Sequence, residues 1–296
     1  MTIGEKIKKL RTDKFMSQSE LAGGEITRNM LSQIEHGSAT PSLSTINYLA
    51  SRLNVSPGFL LANEEDEKIY RKIAVIDGIK KAYVGKNYEI CYDMCKSFDS
   101  SDDEITLILA ECSMRVGIEA FCKGELHKAV ELFEESVEYC RQSIYNTDSV
   151  INEIKDYFAY MEIISPTFSS STIDECDASF VFSCLSPFSV YSSIISESEI
   201  NGWEDVALLE RRLEFLPEDS MYTLHISARL EMSRDNYENA HNILRELLYN
   251  GSYTLPEPML YLILLDLETC CKEIDDFKGA YEYSSSKIAL LQKLLS

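Results

Sequence analysis

The chain has 296 residues and carries 28 Lys and Arg against 49 Asp and Glu, a formal net charge of −21 at pH 7. That length fits one large domain, or a small one followed by a larger one. No apolar run approaches the roughly 20 residues needed to span a bilayer. The opening residues, Met1 to Lys6, have no apolar signal core. The nine cysteines are scattered, with no C-x-x-C pair. Cys91 and Cys95 share a helical face but have no histidine near them in sequence. These features lead us to expect a cytoplasmic protein with reduced thiols, no metal, no cofactor and no membrane contact.

Charge is unevenly spread. Residues 1–62 hold seven basic and five acidic side chains, a net of +2, and the rest of the chain carries −23. Only the N-terminal part is therefore suited to approach a polyanion.

In chain order, Thr2 with Glu5 is a capping-box pattern that starts a first helix. Ile3, Ile7 and Leu10 form its buried stripe, and Lys6, Lys8, Lys9 and Lys14 are expected in water. Ser17 with Glu20 starts a second helix, with Leu21 and Ala22 inward and Gly23-Gly24 ending it. Thr27 caps a third helix that runs to Gly37, with Leu31 and Ile34 on its inner face. Arg28, Asn29, Ser32 and Gln33 fall largely on the other faces. Arginine and asparagine suit guanine and adenine edges in a major groove, although ordinary solvent exposure explains the same residues. Leu43, Ile46, Leu49 and Leu53 mark a fourth helix. Ser56-Pro57 caps a fifth, whose Phe59, Leu60 and Leu61 close the core.

Two short helices joined by a tight turn within five helices make a helix-turn-helix pattern. The segments Ile7-Lys-Lys-Leu-Arg11, Ser17-Gln-Ser-Glu-Leu-Ala22, Leu31-Ser-Gln-Ile-Glu-His-Gly37, Pro41-Ser-Leu43 and Leu53-Asn-Val-Ser56 resemble the phage-repressor-type, Xre/Cro-like DNA-binding domain. One departure is the turn Gly23-Gly-Glu-Ile26, a residue shorter than usual and without the common Leu-Gly step. The resemblance implies that Gln18 binds a phosphate and that Arg28, Asn29 and Ser32 face base edges. It also implies that Gln33 meets a base or phosphate, and that Ser38, Thr40 and Ser42 meet the backbone. Thr27 is counted with this DNA-facing set. Arg11 and Glu35 match a structural ion pair. One such domain covers a half-site, so a homodimer on double-stranded DNA is expected.

Beyond residue 62 a repeat recurs in Lys86-Asn-Tyr88-Glu-Ile-Cys91, Gly124-Glu-Leu126-His-Lys-Ala129, Asp235-Asn-Tyr237-Glu-Asn-Ala240 and Asp275-Asp-Phe277-Lys-Gly-Ala280. Asn201-Gly-Trp203-Glu-Asp-Val206 is a weaker copy. Each has a turn pair, a large apolar residue and a small residue three positions later. The spacing of 34–40 residues resembles tetratricopeptide repeats. Gly117 and Ala228, twelve before Ala129 and Ala240, are small as that motif requires. The expected architecture is all-α: a five-helix helix-turn-helix domain at 1–62, then an α-solenoid of about five to six helical hairpins at 63–296. One unit must lie between 142 and 186, with a loop-like stretch at 165–172.

Such arrays form a concave groove that takes peptides or protein segments. First-helix positions Ile76, Met114, Tyr191, His225 and Leu265 are expected to line it. One turn further come Lys80, Ile118, Ile195, Arg229 and Thr269. Tyr191, Tyr222, His225 and Arg229 would form a polar-aromatic patch, and Asn152 would hold a peptide backbone. Solvated surface or ordinary packing is the simpler explanation of each of these residues.

The combination resembles the peptide-sensing regulators of Gram-positive bacteria, the Rgg, PlcR and PrgX group. That resemblance implies a homodimeric transcription regulator whose DNA binding responds to a signalling peptide. The alternative is an adaptor whose repeats bind a partner protein. No P-loop, H-E-x-x-H or G-x-S-x-G motif points to an enzyme.

Overall fold

The computed structural model describes residues 1–98, 102–170, 186–203 and 206–296. Every regular element among the described residues is helical. None of these helices is long and apolar enough to cross a membrane. The chain divides into two compact units, Met1–Lys81 and Ala82–Ser296, and the division falls inside one helix.

In the first unit, α1 (Ile3–Asp13) and α2 (Gln18–Ala22) both start with the expected capping boxes. α3 (Arg28–Glu35) is capped by the Thr27 hydroxyl, which accepts from Met30 N at 3.1 Å. Then follow α4 (Leu43–Leu53), α5 (Pro57–Leu61, with proline at its first turn) and α6 (Glu64–Val84). Ile7, Leu21, Leu31, Ile34, Ile46, Leu49, Leu53 and Leu60 make one core.

Three expected positions are corrected. Lys6 is 3% exposed, not solvated. It is three residues from Ile3 and four from Leu10, so it shares their face. Its ammonium donates to Ala62 O at 2.7 Å and Phe59 O at 3.2 Å, and lies 3.4 Å from Glu67. A cation suits the C-terminal end of α5. Leu43 is 65% exposed, because at 100° per residue it sits about 90° off the stripe of Ile46, Leu49 and Leu53. Leu61 is half exposed, since it points about 100° away from its buried neighbour Leu60. The Lys6–Glu67 pair and an edge-on contact of Phe59 with Tyr70 hold the start of α6 in this unit.

Gly4 explains how α1 crosses α3. A Cβ there would lie 2.1 Å from the Ile34 carbonyl oxygen. Gly23 explains the short α2–α3 turn. Its backbone (φ 57°, ψ −135°) is open to glycine alone, and the Tyr48 hydroxyl, donating to Ala22 O, occupies the space of a Cβ.

The second unit begins with the end of α6 and contains α7 (Tyr88–Lys96), α8 (Asp103–Cys122), α9 (Leu126–Gln142) and α10 (Asp148–Ile164). A short 3-10 turn, Pro166–Phe168, follows. Then come α11 (Pro187–Asn201), α12 (Val206–Leu213), α13 (Met221–Ser233), α14 (Tyr237–Tyr249), α15 (Glu257–Glu273) and α16 (Phe277–Leu294). The pairs α8–α9, α13–α14 and α15–α16 are packed hairpins. Their second helices start at the expected large residues Leu126, Tyr237 and Phe277, as α7 does at Tyr88. The turn residues Lys86, Gly124, Asp235 and Asp275 all have positive φ. The small residues Cys91, Ala129, Ala240 and Ala280 are buried. At Gly117 a Cβ would lie 2.7 Å from the Phe133 ring, so this glycine lets α8 and α9 approach.

The irregular unit starts with α10. The rest of it, 171–185, lies outside the described residues, as does the side chain of Val206. Cys91 and Cys95 are buried core residues. Burial, with Cys91 beside it, pushes the Cys95 thiol up to about 12.

The array curls back on itself. α15 touches α8, Leu294 is buried, and Lys293 pairs with Glu257 and donates to Lys123 O at 3.3 Å. First-helix faces meet in an aromatic interior. Phe121 sits edge-on to Tyr157 and Phe188, at 4.9 and 5.5 Å between ring centres, and Tyr157 stacks on Phe188 at 4.1 Å.

Candidate nucleic-acid interface and array interior

The α3 face is held from behind by one buried carboxylate. Arg11 grips Glu35 with two hydrogen bonds, of 2.6 and 3.0 Å, and donates a third to Met16 O at 2.8 Å. Gln18 Nε2 donates to Glu35 Oε2 at 2.8 Å. Burial would raise the Glu35 carboxyl, but the bonds from Arg11 and Gln18 outweigh it and hold the group below the ordinary carboxylate range. This node joins α1, α2 and the last residue of α3, so it fixes α3 relative to α2.

In front of that node, Thr27, Arg28, Asn29, Gln33, Ser38 and Thr40 are exposed, and Ser32 is half-buried. Among the described residues Arg28 has no intramolecular partner, so its five donors face water. The Thr27 hydroxyl oxygen accepts from Met30 N, and its hydrogen is left to donate. Gln18 is half-buried; one amide hydrogen is fixed on Glu35, which leaves its second hydrogen to donate elsewhere. Its bond to Glu35 was not foreseen, although the Arg11–Glu35 pair was.

In the array, three of the five residues expected on an open groove are enclosed. Tyr191 and His225 are 0% exposed and Arg229 is 5%. Tyr222 and Asn152 are half-buried. The expectation of an exposed patch is corrected: first-helix faces meet one another, so these side chains are shielded. They form one hydrogen-bonded column. Tyr160 OH lies 3.1 Å from Tyr191 OH, which lies 2.7 Å from His225 Nδ1. His225 Nε2 lies 2.8 Å from Asp266 Oδ2. Arg229 donates to both oxygens of Asp266, at 2.6 and 3.2 Å, and to Glu199. The Trp203 ring lies over the guanidinium at 5.2 Å.

One consistent proton arrangement places the imidazole hydrogen on Nε2, donating to Asp266, while Tyr191 donates to Nδ1. Burial lowers the His225 pKa against the pull of Asp266, so the ring is neutral. Burial opposes ionisation of Asp266, but Arg229 and His225 outweigh it and hold the carboxylate down. Asp266 was missed from sequence, yet it is the one charged residue in the apolar run Met259–Leu267.

Comparisons agree on the first unit. Residues 7–60 match the helix-turn-helix family model, and this segment is a helix-turn-helix domain. No curated protein matches the chain. Among solved structures, Bacillus thuringiensis PlcR in complex with the peptide PapR7 and DNA is 13% identical. That match covers 99% of this chain and 96% of that one, at a TM-score of 0.24. A PrgX mutant is 14% identical over 97% of this chain and 98% of that one, at a TM-score of 0.30. ComR from Streptococcus vestibularis with its cognate signalling peptide XIP is 14% identical over 97% and 98%, at a TM-score of 0.24.

Proposed function

We propose that this chain is a sequence-specific DNA-binding transcription regulator. It works as a homodimer and is controlled by a short peptide or protein segment taken up by the array. The observation that carries the reading is the exposed Arg28, unpaired among the described residues, beside Asn29 and Gln33 on a helix whose end is fixed by the Arg11–Glu35–Gln18 node. Arginine there reads guanine O6 and N7, and asparagine reads adenine N6 and N7. Two such heads read half-sites about one turn, 34–36 Å, apart.

Peptide control follows from the array's two-sided character. Its inner first-helix residues are polar enough to bond a peptide, yet they bond one another. A peptide that engages them must prefer a rearranged array, and that preference is the coupling energy available to move the heads.

The test is fluorescence anisotropy of the full chain on the duplex upstream of its own gene and on a scrambled duplex, across a salt series. The expected result is tight binding to the native duplex and a steep loss with salt. Equal, weak binding to both, repeated across genomic fragments, overturns the reading.

A further inference from the structure

We propose that the Arg229 guanidinium is a carboxylate-binding site in which Glu199 is an internal stand-in, and that the incoming ligand displaces Glu199 with a carboxylate of its own. The inference rests on the peptide-controlled reading above and gives the ligand its chemistry: a peptide with a free C-terminus or an acidic side chain.

The argument starts from charge. The Arg229 side chain is 6% exposed, and its bidentate partner Asp266 is 7% exposed. One buried carboxylate already neutralises one buried guanidinium. His225, the other neighbour of Asp266, is neutral. Glu199 is therefore a second carboxylate on a cation that charge balance does not require. It is also different in kind, because its side chain is 42% exposed. Asp266 takes Nε and Nη2, and Glu199 takes Nη1 alone.

Removing Asp266 would take away the buried, bidentate partner of the guanidinium and leave it only the part-exposed Glu199, a strongly destabilising change. Exchanging Glu199 for another carboxylate leaves the buried charge unchanged. Exchange is favoured only for an anion, since a neutral or cationic group would leave Nη1 without a charged acceptor. Position agrees with charge. Glu199 continues the α11 column of Tyr191 and Ile195, spaced by four, on the face expected to meet a peptide. The indole of Trp203 covers the guanidinium, and half-buried Tyr222 lies 4.9 Å from the Tyr191 ring. An arginine edge beside aromatic faces suits a carboxylate attached to an apolar or aromatic residue. The neighbouring Glu197 is engaged by Arg212 at 2.7 Å and does not compete for the seat.

Trp203 is the single tryptophan of the chain, so its fluorescence reports on this site alone. The experiment titrates the full-length protein and its Glu199→Ala variant with acetate. It also uses three pools of short random peptides: free acids without Asp or Glu, the same pool amidated, and an amidated pool that contains Glu. Chloride is the ionic-strength control. Removing the internal competitor should tighten carboxylate binding about tenfold. A response to the first pool identifies the C-terminus as the ligand group, and one to the third identifies a side chain. Arg229→Gln, which removes the positive charge, should abolish the preference for acid over amide. Should that variant not fold, the acid-to-amide ratio in Glu199→Gln, which keeps the packing, decides. Equal responses of Glu199→Ala to acetate and chloride, or to all three peptide pools, overturn the proposal. Failure of the wild type to bind DNA would instead overturn the regulator reading and leave the Trp203 result standing.

Discussion

Replacing Glu35 by glutamine should loosen the helix-turn-helix unit without touching the array. The Glu35 side chain is 0% exposed and its partner Arg11 is 12% exposed, so the pair is shielded from screening by water. Glu35 accepts three hydrogen bonds, two from the guanidinium and one from Gln18. The amide keeps one acceptor oxygen, turns the other into a donor facing a donor, and leaves Arg11 without its counter-charge. Breaking such a pair costs about 3–5 kcal/mol. The small exposure of Arg11 and the retained acceptor argue for the lower end, about 3 kcal/mol, a large share of the 5–15 kcal/mol typical of a whole domain. Hydrogen exchange of the full-length chain, read by segment, is the assay. The slowest amides of residues 3–61 should exchange about a hundredfold faster, while those of α8, α9, α13 and α14 stay unchanged. Replacing both Arg11 and Glu35 by methionine should recover most of the loss, because no charge is then stranded. A change under about fivefold for Glu35→Gln, equivalent to about 1 kcal/mol, would refute the reasoning.

Gly4→Ala should destabilise the same unit by about 2 kcal/mol, because the new methyl meets a backbone carbonyl that cannot rotate away; denaturant unfolding of that unit checks it. Phe15 is 97% exposed in a left-handed conformation (φ 54°), so Phe15→Gly should stabilise the unit by about 1 kcal/mol in the same experiment. The array should melt lower as pH falls from neutrality. The folded pKa of His225 is depressed, so its stabilising contribution is complete above the ordinary histidine value and is lost on acidification, by up to about 1.4 kcal/mol per pH unit. Asp156 works the other way. Burial raises its carboxyl to about 6, against a hydrogen bond from Ser189 and helped by Glu153, so its stabilisation is present at low pH and is lost as pH rises through that value. Melting curves of His225→Gln should therefore lose the acid sensitivity, and those of Asp156→Asn should show it more steeply.

Local chemistry made much of this legible in the sequence. Capping residues placed the starts of α1, α2, α3 and α5, apolar spacing marked α4, and the repeated turn pairs placed the starts of α7, α9, α14 and α16 at the residue. Long-range packing was harder. Lys6 reads as a surface lysine until α5 and α6 are laid over it. Gly4 gives no signal that α3 passes within contact. Helical spacing put Tyr191, His225 and Arg229 on the inner faces of first helices, but a single sequence does not show how far a solenoid curls. That curl turned the expected groove wall of Tyr191, His225 and Arg229 into a buried column with Asp266. On the α3 face the reverse held. Exposure of Arg28, Asn29 and Gln33 needs only a helix with one apolar stripe, so the sequence sufficed.

The most direct test of base reading is a mutant cycle between Arg28→Ala and single base-pair changes in a duplex selected by the full chain from a random pool. If Arg28 reads a base, the variant should lose about 1–3 kcal/mol of discrimination at one position of each half-site and keep its preferences elsewhere. A uniform loss of affinity, with every positional preference intact, would make Arg28 a phosphate contact and contradict the claim that this face of α3 reads sequence.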